Sequence, residues 1–198
     1  MKKIVILLVF LSSSISLLAQ ESNRPRFGLQ LSPTFSWMRS DLNIINGNGA
    51  NVGLKLGMLA EFSPNFLGGD ARYAITTGLG FAFNHGGTLQ YTDRERIWID
   101  TPDLEVDPLN AKYSVQYIEV PVGFKMRFCM DHIRTCIFAE PQMVLGFRGQ
   151  SRGDIVNQID LYNDLTINEF ISPLGVSWGL GIGAEYGIGG STALIGGI

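Results

Sequence analysis

Six stretches of the chain alternate apolar residues with small or polar ones at a period of two. From Tyr117 to Phe128, Ile118, Val120, Val122, Phe124, Met126 and Phe128 share one face. Tyr117, Glu119, Gly123, Lys125 and Arg127, with Pro121 among them, share the other. Period-two alternation belongs to strands whose faces meet unlike surroundings. The same pattern runs over Phe27–Trp37, Val52–Phe62, Arg72–Phe83, Cys136–Phe147 (where Pro141 interrupts it) and Leu174–Ile188, and a seventh strand starts near Ser191. The complete stretches have the ~10 residues that a tilted strand needs to cross a bilayer. Together they predict an all-β, antiparallel transmembrane β-barrel, apolar towards lipid and polar towards its lumen.

The connections sort in the same sense. Arg39–Asn51, Asn84–Lys112 and Arg148–Pro173 are the longer ones. Ser63–Ala71, Met130–Thr135 and Gly189–Gly190 are short. With the N-terminus in the periplasm, every long loop falls outside the cell and every short turn inside. Rings collect at strand ends, at Phe27, Trp37, Phe62, Tyr73, Phe83, Tyr117, Phe128, Phe147 and Tyr186, and predict two interfacial girdles.

Residues 1–19 have the form of a secretory signal. Lys2 and Lys3 precede an apolar core from Ile4 to Leu11, and small residues lead to Ala19. Residues 20–198 then form one exported domain. No cysteine follows the cleavage point, so a lipid anchor is not expected. No later apolar run is long enough for a membrane helix, and the expected location is the outer membrane of a Gram-negative cell. A net charge of −3 without a basic block excludes nucleic acid as a partner. The 24 glycines in 198 residues exceed the usual ~7% and make room for larger lumenal neighbours.

Lys55, Glu61, Arg72, Glu119, Lys125, Arg127, Glu140 and Glu185 fall on the polar faces. An eight-stranded barrel is just wide enough for side chains to fill it, and buried charges must be paired. These eight are therefore expected to form a lumenal charge network that plugs the barrel; a narrow ion-conducting lumen is the functional alternative. His85 and His132 are the only histidines. Both are expected in connections, His85 facing solvent unless Asp93 or Glu95 approaches it. No catalytic constellation emerges, so no enzyme activity, cofactor or metal is expected. The carboxylates between Asp93 and Asp107 lack the spacing of a calcium loop. Trp98, between Ile97 and Ile99, is an apolar island in that loop and a candidate partner contact.

Cys129 and Cys136 flank a tight turn and would sit opposite each other if Met130 pairs with Thr135. Simple alternation instead places Cys136 on the lumenal side and Cys129 near the membrane edge. A disulfide and two free thiols both remain open. Of the neighbours Val122 and Gly123, the first is placed towards lipid and the second towards the lumen. Val122→Arg should therefore cost more than Gly123→Ser, provided the interior has room.

The run Tyr117-Ile118-Glu119-Val120-Pro121-Val122-Gly123-Phe124-Lys125 resembles the Y-(I/L)-E-(I/V)-P strand of the PorT-like outer-membrane β-barrel family of Bacteroidota. The ends Leu18-Ala19-Gln20 and Phe27-Gly28-Leu29 are similar too. The resemblance covers essentially the whole mature chain and implies eight antiparallel strands, of which six and a fragment are present. An odd, open sheet in lipid leaves backbone groups unpaired at several kcal/mol each, so the gene is expected to continue for about 25 to 40 residues past Ile198, finishing the seventh strand and adding an eighth of ~10 residues. The expected role is structural or interactive, through the outer loops or periplasmic turns. The alternatives are an accessory of a secretion or transport system, of the type IX kind, and last a barrel enzyme.

Overall fold

Alternation on this scale needs neighbours to satisfy the backbone, and consecutive strands supply them. The computed structural model describes residues 25–63, 72–92, 108–130, 134–156, 164–189 and 192–198. Its strands are β1 (Arg26–Trp37), β2 (Ile45–Phe62), β3 (Tyr73–Tyr91), β4 (Leu109–Met130), β5 (Thr135–Val156), β6 (Leu165–Thr166), β7 (Leu174–Gly189) and β8 (Thr192–Gly197). A short 3-10 turn spans Asn168–Phe170. Each long strand pairs antiparallel with the next, in the order β1-β2-β3-β4-β5-β7-β8, and β6 pairs with β5. The expected all-β antiparallel architecture is present as a curled, half-barrel sheet. The segment 1–19, the carboxylates Asp93–Asp107 with Trp98, His132 and Gly190 lie outside the described residues.

The direction of curl follows from which side chains meet. Lys55 on β2 reaches Glu119 on β4 across β3, and Arg127 on β4 reaches Glu185 on β7 across β5. Side chains from non-adjacent strands touch only on a concave face. The opposite, convex face carries Leu29 and Trp178, each 88% exposed, with Leu31, Phe35, Met58, Val122 and Leu180 also open.

Four strands run further than the alternation predicts. β2 begins at Ile45 rather than Val52, β3 continues to Tyr91, β4 begins at Leu109, and β5 continues to Val156. Residues 84–91, 109–112 and 148–156, expected in long loops, are therefore strand. The reason is a set of bulges. The β3–β4 register steps between Ala82 and His85, and the β4–β5 register between Val115 and Tyr117. In each case the extra residue lies on the strand beside β4, and one extra residue turns the following side chains to the other face. On β3, Leu79, Phe81 and Phe83 point out, whereas Leu89 and Tyr91, of the same parity, are buried. On β5, Met143 and Phe147 point out while Ile155 is buried. A single alternation read straight through such a step loses the strand.

Asn84 takes the positive φ of 59° at the β3 bulge, a conformation asparagine tolerates better than most residues. Its amide donates to the carbonyl of Val52 at 2.7 Å and fixes the kink to β2. His85 follows it. It is a strand residue with a buried Nε2, set edge-on to Tyr117 at 6.3 Å, not a solvent-facing loop histidine. Tyr117 likewise lies on the concave face and is not part of an outer girdle.

Candidate functional site

The concave face is divided at the level of the bulges. On the side of the short turns it is charged. Arg127 donates through Nε to Glu185 Oε2 at 2.7 Å and through Nη2 to Glu185 Oε1 at 3.0 Å, and Nη2 also bonds Glu61. Lys125 stands 3.4 Å from Glu61, 3.2 Å from Glu185 and 3.6 Å from Glu140. Its ammonium also lies 4.8 Å from the centre of the Phe138 ring. The side chains of Arg127 and Lys125 are only 2% and 5% exposed. Burial at this depth costs several kcal/mol per ion, which only close, hydrogen-bonded partners offset. Two cations face three carboxylates, and Arg26, half-exposed at the rim, lies 3.8 Å from Glu61 and offsets the excess.

Small residues let these long side chains cross. Lys125 pairs in register with Ala74, which is fully buried. Lys55 meets Glu119 at 2.5 Å by passing over Gly80 of β3, where a Cβ would lie 3.1 Å from Lys55 Cε. The Thr76 hydroxyl donates to Glu140 Oε1 at 2.6 Å. Seven of the eight residues expected in the network thus form two groups, Lys55 with Glu119 and the Lys125–Arg127 cluster. Arg72 differs in position. It lies in the turn before β3, exposed, and its carbonyl accepts from the amide of Arg127 at 2.7 Å.

Cys129 and Cys136 are register partners, Met130 pairs with Thr135, and the two sulfurs form a disulfide. Directly opposed residues share a face, so the two cysteines are not split between lumen and edge. Cys136 also pairs with Glu185, which places the staple in the row next to Arg127.

Beyond the bulges the concave face becomes apolar. Leu89, Tyr91, Leu109, Ala111, Tyr113, Ile155 and Ile167 form a buried core, with Met38, Ile45 and Ile171 against it. The Tyr91 and Tyr113 hydroxyls hydrogen-bond at 2.5 Å. Burial pushes the Tyr91 phenol above its ordinary value, and that bond offsets part of the rise. Arg148 donates to the carbonyls of Asn168 and Ile171, and Asn168 Oδ1 accepts from the Ser151 amide at 2.9 Å and hydroxyl at 2.6 Å. The turn carrying Ile167 is thereby pinned over the core. The buried Asn51 amide donates to the carbonyl of Tyr113 at 2.6 Å.

Sequence reasoning missed this second compartment. Its one legible trace is in β4, where the apolar positions change parity from Leu109, Ala111, Tyr113 and Val115 to Ile118, Val120 and Val122. Among the described residues no group of His, Cys, Asp and Glu could hold a metal ion. Comparison with family models, curated proteins and solved structures returned no match.

Proposed function

We propose that the chain is a small outer-membrane β-barrel protein with a structural or interaction role. One observation carries this reading: the polarity of the sheet reverses at one level. On the turn side, apolar residues point outward and charges inward. Above the bulges, apolar residues point inward, while Gln90, Asn110, Lys112, Arg152 and Asp154 point outward. A convex apolar surface running across β1 to β7 far exceeds the patches that monomers expose to water. Both halves are favourable together if the surroundings change from hydrocarbon to water at that level. From Ile118 to Phe128, at ~3.3 Å per residue and a tilt near 40°, the strand rises roughly 25 to 28 Å, the height of an outer-membrane apolar band.

The extended ends of β2 to β5, with the turn over Asn168–Phe170, then stand in water and are the surface a protein partner would meet. The resemblance of Tyr117–Lys125 to the PorT-like strand supports the same reading. The mature protein should fractionate with the outer membrane and migrate faster on a gel unboiled than boiled, because a hydrogen-bonded barrel resists detergent. Recovery in the soluble periplasm would overturn the proposal.

A further inference from the structure

We infer that the interior is closed twice, by seals of opposite chemistry, and that the outer, apolar seal is the principal barrier to ions. The inference rests on the membrane reading above. The inner seal is the Lys125–Arg127 cluster. Its members are charged, and an ion or water entering there exchanges one set of polar partners for another. The barrier there is the cost of breaking the cluster's own pairs, part of which the entering ion's new contacts offset. The outer seal offers an ion nothing. Leu89, Leu109, Tyr113, Ile155 and Ile167 are each at most 7% exposed, and an ion among them would lose its hydration without replacement ligands.

The outer seal is also fastened rather than merely folded over. Ile167 donates its amide to the Ser151 carbonyl at 3.1 Å. Arg148 and Ser151, both on β5, grip the turn that follows it at the carbonyls of Asn168 and Ile171 and at the Asn168 side chain. On the other flank, Thr92 donates its amide to the carbonyl of Ile44 at 3.0 Å. Between the seals the concave face is polar, with Gln30 and Ser32 of β1 opposite Gly57 and Lys55 of β2.

The test is conductance of the full chain in planar bilayers, in potassium chloride. The native protein and Glu185→Gln should both be silent, because the outer seal persists. Leu109→Ser with Ile167→Ser, added to Glu185→Gln, should give stepwise currents. Currents from the native protein or from Glu185→Gln alone would overturn the inference, as would silence from the triple variant in folded form. Folding is checked by the unboiled gel shift. Should the triple variant not fold, Ser32→Cys in the otherwise native chain decides. A small membrane-impermeant thiol reagent applied to intact cells should leave it unlabelled, and should label it after unfolding. Labelling in intact cells would refute the outer seal. A protein found in the outer membrane that conducts defeats only this inference. A protein found soluble defeats the membrane reading beneath it.

Discussion

At the scale of single residues, Val122 and Gly123 show how much a face assignment leaves open. Val122 is exposed on the convex face, and Val122→Arg should cost roughly 2–4 kcal/mol in lipid. Gly123 faces inward as alternation predicts, but the interior there is full. A Cβ would lie 2.5 Å from the Thr76 hydroxyl and 2.8 Å from Glu140 Oε1. Gly123→Ser should therefore also destabilise, by about 1–3 kcal/mol, through loss of the Thr76–Glu140 bond. Gly179, with nothing within 4 Å of its Cβ position, should accept serine within about 0.5 kcal/mol. Denaturant titration of vesicle-folded protein ranks the three; a silent Val122→Arg would mean the faces are reversed. Arg127→Met strands Glu61 and Glu185 and should cost about 3–5 kcal/mol in the same assay. That Arg127 points inward was legible in the alternation. Its partners were not, because Glu61 and Glu185 lie 66 and 58 residues away and only the curl of the sheet brings them together.

Among the elements, the turn between β4 and β5 and the extended strand ends carry the next expectations. Alkylation without reductant should label neither Cys129 nor Cys136, and recovery of two labelled thiols would end the assignment. In the chain-entropy account, reduction of a loop this short should lower the unfolding free energy by about 2–3 kcal/mol. The apolar extension should respond to alkali. The Tyr91 phenol titrates above its ordinary value of 10.0, so the folded state favours the neutral form. The associated stability is complete below pH 10 and is lost as pH rises through the raised value. Ultraviolet titration should show a late-ionising tyrosine that Tyr91→Phe removes; an unchanged titration curve would count against the buried pair. These extensions escaped the alternation because the bulges beside β4 change parity in mid-strand. Gly86 and Gly87, just past the β3 bulge, add no apolar marker to restore it.

For the molecule as a whole, the reversed polarity makes a prediction about depth. Trp178 lies on the convex face of β7, in the same register row as Met143 and Val122, open over 88% of its surface. In vesicles containing lipids brominated near the acyl mid-point, its fluorescence should be strongly quenched, and Trp178→Phe should remove most of that quenching. Unquenched Trp178 in a folded, membrane-bound sample would place the apolar band elsewhere. Both the all-β class and the outward apolar band follow from local information. Alternation at period two is written in consecutive residues, and hairpin pairing of neighbours needs no long-range instruction. The charged side chains destined for the concave face are equally local. What only the tertiary structure decides is which of them meet, where the faces exchange, and that the ends of the long connections next to β2, β3, β4 and β5 are strand around an apolar core. Those outcomes depend on curl, register steps and contacts between strands that are not neighbours, and none of these is a property of any one stretch of chain.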